Sequence, residues 1–414
     1  MKILVVSQYF WPEPFIINDL VLKLKNQGHM ITIFTGKPNY PDGNLYPNYK
    51  RSGIQEEDYQ GIDIYRVPLR PRNNSSTKNL ILNYCSFVWS GLIHSVKLSR
   101  KKQFDAILVY GLSPITAAIP GVFLKWLTKS HLALWIQDLW PQSVQATGFI
   151  KNRHLLKGIE ILVRGIYYFS DTLLVQSHAF IPSVARLTAN QNKIIYYPNS
   201  SLDILKEDNN IDSLSPEFIT LLENNFCIVF AGNIGTAQAV ETIVEAAEKL
   251  KHLSDIKLVL VGSGSMAQWI EQQIVTRGLD NLILPGRFPI SEMPGIYSRA
   301  AGLLVTLKRD EIFTYTIPCK VQSYLSAGRP VIAAIDGEGA RVVRDSGAGL
   351  ASPAEDPTAL AQSIEELYHM PIIKREEMGT LGHSYFLQHF EITSQSHRLI
   401  AILQEQISNG NKYI

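Results

Sequence analysis

The feature that most constrains this chain is an alternation run through twice, in which short apolar runs of strand length are separated by helix-length segments. The first round opens with Lys2–Val6, a Pro-rich turn, an amphipathic segment over Ile17–Asn26, Gly28 as a stop and then Met30–Thr35. Apolar periodicity near 3.6 between two period-free apolar runs is the pattern of a βαβ unit. Further runs at Ile62–Pro68, Ala106–Tyr110, Leu132–Ile136, Thr172–Val175 and Lys193–Tyr197 extend it to a mainly parallel sheet.

Around Pro198–Ser215 the texture turns polar and turn-rich, which is the composition of a linker. The alternation then restarts. Strands are expected at Phe226–Phe230, Lys257–Val261, Leu282–Leu284, Gly302–Val305 and Pro330–Ala333, with helices over Ala239–Lys249, Met266–Arg277 and Lys320–Ala327. A chain of 414 residues is too long for one α/β core. The expectation is therefore an α/β protein of two doubly wound domains, residues 1–200 and 201–390, facing a cleft. A C-terminal helix over 391–414 is expected to cross back to the first domain. Ligands of such sheets bind beyond the carboxyl ends of the strands, so the loops there carry the argument for function.

The net charge of +2 hides an asymmetry. Residues 1–200 hold 22 basic and 11 acidic side chains, leaving 17 and 26 beyond them. A basic half attracts phosphate-rich partners such as anionic headgroups or a diphosphate-linked acceptor, or else it steers the acidic half. Cys85, Cys227 and Cys319 share neither disulfide nor metal-ligand spacing, which suits a reducing compartment. The opening Met1–Val6 lacks the long apolar segment of a signal peptide, so a cytoplasmic location is expected. Two stretches free of Asp, Glu, Lys and Arg, Asn79–Val96 and Ala106–Leu124, approach the length of a membrane span. Gly111, Pro114 and Pro120-Gly121 break the second into strand, turn and helix start. The first runs into Lys97, Arg100, Lys101 and Lys102 and reads as an interfacial helix or equally as a plain core helix.

The turn after the first strand, Ser7 to Phe15, has no G-x-G-x-x-G. A bulky loop with Glu13 between Pro12 and Pro14 cannot bring its backbone close to a pyrophosphate, so this end is assigned to an acceptor, with Glu13 as a plain loop charge the alternative. In the second half the equivalent turn, Phe230 to Gln238, carries Gly232 and Gly235 with Asn233 and Thr236 as neutral donors, a build suited to a diphosphate. Gly262 and Gly264 follow the next strand, and Arg287-Phe288 follows the third, where polar and flat contacts to a base are expected. Between Lys308 and Pro330 a helix starts near Pro318 and stops at Gly328. The N–H groups near Thr316–Cys319 then form an anion site beside Lys320, with Gln322 one turn further placed for ribose hydroxyls.

Taken with Pro38–Pro41, Gln137–Ser143 and Asp336–Gly339, these stretches resemble the retaining GT-B glycosyltransferases of family 4, and within them the WbuB-like enzymes of O-antigen and capsule synthesis. The resemblance covers nearly the whole chain. It implies two Rossmann-like domains and transfer of a sugar from a nucleotide donor, through a front-face route with an oxocarbenium-like transition state and no metal or other cofactor. It implies that Gly232, Asn233, Thr316, Ile317 and Lys320 neutralise the leaving diphosphate; with the loop residues read above, the expected UDP-sugar contacts are Gly232, Asn233, Gly235, Gln238, Gly262, Gly264, Arg287, Thr316, Ile317 and Gln322, and the expected acceptor contacts Glu13, Pro14, Asn39 and Tyr40. Asp138, Lys320 and Glu311 would be the catalytic set, unless Asp138 merely caps the turn before Trp140-Pro141.

Two departures from the family pattern stand out. Its E-x7-E signature would fall on Thr314 and Gln322, and its basic pair on Asn233 and Gln238. The neutralising charge is therefore expected from Lys320, Arg287 or Lys308. The implied reaction moves an N-acetylated deoxyhexosamine such as N-acetyl-L-fucosamine from UDP to a polyprenyl-diphosphate-linked saccharide at the inner face of the cytoplasmic membrane. A sugar-nucleotide epimerase is the alternative enzyme, and an exported two-lobed binder would need a signal peptide. Nucleic acid is not expected as a partner, since no recognition module or aromatic-basic ladder is present.

Overall fold

The computed structural model describes residues 1–73, 77–146, 152–206 and 214–410. Part of the stretch read as a linker, residues 207–213, lies outside them. The chain divides into two compact units, Met1–Asn199 with Ile392–Ile414, and Ser200–Glu391.

The first unit is built on eight strands: β1 (Lys2–Ser7), β2 (Met30–Gly36), β3 (Gln55–Tyr59), β4 (Ile62–Val67), β5 (Ala106–Gly111), β6 (His131–Ile136), β7 (Thr172–Val175) and β8 (Ile194–Tyr196). They lie in the order β3-β4-β2-β1-β5-β6-β7-β8, all parallel except β3, which pairs antiparallel with β4. One face of the sheet buries Ile3, Val5, Ile33, Leu108 and Trp135 with Leu20 and Leu24 of helix Ile16–Asn26 and Leu399 and Leu403 of helix Ile392–Gly410. On the other face helix Ile119–Thr128 brings Gly121 so close that an added Cβ would stand 2.5 Å from Val109, and helix Thr77–Lys101 brings Gly91 equally close to Pro120.

Stretch Asn79–Val96 is thus one part of a 25-residue helix, Thr77–Lys101. It is a core helix along the stripe of Asn83, Phe87, Gly91, Ser95 and Leu98, and an exposed one along Ile81, Trp89 and Ile93. Among the described residues no helix is long and apolar enough to cross a membrane.

The second unit carries β9 (Phe226–Asn233), β10 (Ile256–Ser263), β11 (Leu282–Gly286), β12 (Gly302–Thr306), β13 (Val331–Ala334) and β14 (Gly349–Ser352), all parallel, in the order β11-β10-β9-β12-β13-β14. Counted within the unit this is 3-2-1-4-5-6, the doubly wound order whose crevice opens at the reversal between its first and fourth strands. Alternate residues of β9 feed two cores, Cys227, Val229 and Ala231 on one side and Ile228 and Phe230 on the other. Strands buried on both faces read as unbroken apolar runs, which is why the sequence displays them so plainly.

Candidate active site

In the second unit the carboxyl ends of β9 and β10 run side by side, Gly232 opposite Gly262 and Asn233 opposite Ser263. Gly232 has φ of 129° and Gly262 of 145°, and a Cβ on Gly262 would stand 1.9 Å from the Gly232 carbonyl oxygen. A Cβ on Gly264 would stand 2.2 Å from the Ile234 carbonyl oxygen. Only glycine allows these strand ends to pack with their backbone bare. Beyond them lies a cavity of about 450 Å³, lined by Gly232, Asn233, Gly262, Arg287, Phe288 and Tyr297 among others. Four of the residues read from the sequence as donor contacts therefore meet in one place: Gly232, Gly262, Asn233 and Arg287. Phe288 is less free than a base-stacking ring, because its face lies on Phe218 with centroids 5.2 Å apart and planes 10° apart.

Helix Cys319–Ser326 points its start toward the same loops. The Lys320 ammonium donates to the Gln238 side-chain carbonyl at 2.5 Å and lies 3.7 Å from the centre of the Phe230 ring. Its Cε would be 2.9 Å from a Cβ on Gly232, so the glycine makes room for the lysine. Burial, with no carboxylate to offset it, pulls the Lys320 pKa down to about 7. Gln238 is thus the partner that holds Lys320. The Thr306 hydroxyl donates to the Gln238 backbone carbonyl, and the Lys308 N–H donates to the Ala237 carbonyl at 3.0 Å, tying this loop to the end of β12. The Lys308 ammonium pairs with Glu241 at 3.6 Å.

Three further residues expected on this side have the following surroundings. Gln322 is 1% exposed, packed inward rather than open to a ribose. Ile317 is buried in the core, leaving Thr316 as the half-buried residue beside the helix start. Glu311 opens the short helical turn Glu311–Thr314, accepts from the hydroxyl of Tyr315 just past its end, and is exposed. One residue that the sequence did not single out matters as much as any of these. The buried Tyr324 hydroxyl accepts from the Ala231 N–H at 2.9 Å, locking the helix to the last buried turn of β9.

The first unit builds its strand-end loops in another way. Glu13 is 1% exposed, and its carboxylate accepts from the N–H groups of Phe10 (3.1 Å), Asn39 and Tyr40 (both 2.8 Å). Glu13 therefore braces the loop after β1 against the loop after β2 instead of presenting a charge to a ligand. Burial raises its pKa to about 7 against the pull of those three donors and of Arg66. Asn39 is buried likewise, accepting from Asn83, which in turn accepts from Gln8 at 2.8 Å. Tyr40 stays partly exposed, facing Phe15 and Tyr9 at centroid distances of 5.4 and 5.9 Å. Arg72 lies over both tyrosine rings, at 4.8 and 5.3 Å, and donates to the Tyr9 hydroxyl. Pro14 sits exposed in the same loop. Arg72 escaped the sequence reading because its partners come from 63 and 32 residues away.

Asp138 follows β6, half-buried. Burial raises its pKa, with a hydrogen bond from the Ser113 backbone pulling the other way. Its partner is thus in the loop after β5, which is also held by Trp140 Nε1 donating to the Ser113 hydroxyl at 3.2 Å. Among the described residues no group of three or more His, Cys, Asp or Glu is placed to hold a metal ion.

Residues 225–370 match the family described as Glycosyl transferases group 1. The chain is 25% identical over 344 residues to WcaI of Escherichia coli K12, named as a colanic acid biosynthesis glycosyl transferase, covering 79% of this chain and 82% of that one. It is 21% identical over 325 residues to WbjE of Pseudomonas aeruginosa, named as a glycosyltransferase, covering 77% and 79%. Among solved structures, Anabaena HepE in complex with UDP superposes with a TM-score of 0.69 at 12% identity, over 98% of this chain and all of that one. Sucrose-phosphate synthase from Thermosynechococcus elongatus gives 0.73 at 16%, over 99% of each. The chain thus has the GT-B fold, and the stretch that carries the glycine-lined cavity and the Lys320 helix is its glycosyl transferase group 1 domain.

Proposed function

We propose that the second unit binds a UDP-sugar and the first a lipid-linked saccharide, and that the chain moves the sugar between them, with retention and without a metal, in the synthesis of a cell-surface polysaccharide. The observation that carries the donor half is the bare backbone at Gly232 and Gly262 around a 450 Å³ cavity, with Lys320 held beside it. Backbone N–H groups and a lysine that can take up a proton are what a leaving diphosphate needs. HepE structures with UDP and with UDP-glucose favour uridine as the base.

In this reading the bond from the sugar's anomeric carbon to the diphosphate breaks and one to the acceptor hydroxyl oxygen forms. The hydroxyl proton leaves with the diphosphate. Lys320, protonated, balances the charge that develops there, and Arg287 at the cavity rim meets the nucleotide. Asp138 is the carboxylate that this reading assigns to catalysis in the first unit. The names of WcaI and WbjE favour an acceptor of the polysaccharide type, and the basic first 200 residues suit a diphosphate-linked one at the cytoplasmic membrane face. An N-acetylated deoxyhexosamine is the proposed donor sugar. The group 1 domain weighs against an epimerase.

The test is a panel of UDP- and GDP-sugars scored by thermal stabilisation, followed by turnover with a polyprenyl-diphosphate saccharide in the presence of EDTA. Stabilisation by UDP-N-acetylhexosamines alone, and transfer that survives EDTA, is the expected result. Preference for GDP-sugars, or conversion of the free nucleotide sugar without acceptor, contradicts it.

A further inference from the structure

Three helices cover one side of the first unit's sheet in adjacent positions: Thr77–Lys101, Ile119–Thr128 and Arg153–Phe169. Gly91 of the first abuts Pro120 of the second, and Trp126 of the second meets Phe169 of the third edge to face at 5.1 Å. Their outer surface is unusual for a soluble face. Of the 21 large apolar side chains exposed among the described residues, ten lie on these three helices.

They form stripes rather than scattered points. On the first helix Ile81, Cys85, Trp89 and Ile93 recur every fourth residue, and the same line ends in Lys97 and Lys101. On the third, Val163, Ile166 and Tyr167 are buried while Leu155, Ile161, Leu162, Tyr168 and Phe169 face out. Trp89 is 70% exposed, Trp126 56%, Ile161 64% and Tyr168 71%. The charges between them are one-sided. The three helices carry eight Lys or Arg against a single acid, Glu160. Among the described residues Lys78, Lys97, Arg100, Arg153 and Lys157 have no ion-pair partner.

We infer that this three-helix face lies on an anionic bilayer, with Trp89, Trp126 and Tyr168 at headgroup depth and the basic residues on lipid phosphates. Aromatic and aliphatic stripes flanked by Lys and Arg are the composition of an interfacial surface. A second copy of the chain is the poorer occupant, since a symmetric interface would bring the five unpaired positive charges of one copy to the five of the other. The inference goes beyond the interfacial stripe legible in Asn79–Lys102, because half of its exposed apolar side chains lie on Arg153–Phe169. It adds to the proposed function by placing that enzyme where a lipid-linked acceptor is found, but neither donor nor acceptor enters its test.

The test is co-sedimentation of the full chain with vesicles of phosphatidylcholine alone or with about one-third phosphatidylglycerol, at low salt and at about 1 M salt. Two double variants are compared, Trp126→Ser with Tyr168→Ser, and Arg153→Glu with Lys157→Glu. The wild type is expected to pellet only with anionic vesicles and less at high salt, and each variant to partition roughly tenfold or more weakly with UDP binding unchanged. Wild type that remains in the supernatant, variants that pellet as well as wild type, or a dimer that both variants dissolve while vesicle binding is absent would each overturn the inference. Loss of transfer with vesicle binding intact would instead count against the proposed function alone.

Discussion

The two units carry parallel sheets of kindred topology and finish their strands in opposite ways. In the second, strand ends are stripped to glycine at 232, 262 and 264, so that bare backbone is what they present. In the first, the loops after β1 and β2 are filled with Tyr9, Phe10, Trp11, Phe15 and Tyr40 and held by the buried Glu13 carboxylate. A surface of bare N–H groups suits a diphosphate. One of rings, with Arg72 laid across them, suits an acceptor's sugar faces and charge. The sheet positions the loops, and the residue types after each strand decide what can bind there.

The strongest way to break this contrast is to give the glycine side a side chain. Gly262→Ala puts a methyl 1.9 Å from the Gly232 carbonyl oxygen at a φ of 145°, so both space and conformation oppose it. A loss of about 2–3 kcal/mol in unfolding free energy is expected, with UDP stabilisation of the fold abolished; denaturant titration with and without UDP reads both.

Lys320→Ala should come next. It removes the cation held beside Gly232, where the proposed reading puts the diphosphate, and should lower kcat/KM roughly 100- to 1,000-fold with little change in unfolding midpoint. The same lysine sets a pH dependence. Its folded pKa of about 7 lies below its ordinary value of 10.5, so a bound diphosphate drives proton uptake and UDP affinity falls as pH rises above about 7. Titration calorimetry in buffers of different ionisation enthalpy measures that proton directly, and Lys320→Ala should erase it.

Stability responds to pH with opposite sign in the two units. Lys320, with its lowered pKa, contributes stability above about 10.5 that is lost as pH falls through about 7. Glu13, raised from 4.5 to about 7, contributes stability below about 4.5 that is lost as pH rises through about 7. Glu13→Gln should flatten the acid-side dependence, costing on the order of 1–2 kcal/mol because an amide keeps only part of the three N–H bonds. Chemical denaturation across pH 4–8 checks it. Smallest is Arg72→Ala, expected to raise the acceptor KM several-fold and cost about 0.5–1 kcal/mol while leaving UDP binding as it was.

Much of the fold was legible because buried parallel strands are apolar throughout, and strands such as Thr172–Val175 fall where that pattern places them. Two strands were not. β3 reads Gln-Glu-Glu-Asp-Tyr, an acidic edge strand that pairs on one side only, and β14 reads Gly-Leu-Ala-Ser, too short and small to carry a period. In the site, Gly232 and Gly262 were legible since a glycine after a strand has local meaning. Tyr324, Arg72 and the bracing role of Glu13 were not, because each is defined by partners 93, 63 and 26 residues away. The burial of Gln322 was hidden for the same reason, as helix position alone does not tell which face is packed.

The division of labour between the units is tested most directly by amide hydrogen exchange of the wild-type chain with and without saturating UDP. Protection should rise in the loops after β9, β10 and β11 and at the start of helix Cys319–Ser326, with no change in the loops after β1 and β2. Protection that appears instead around Glu13 and Tyr40, leaving Gly232 and Gly262 as they were, would contradict the account.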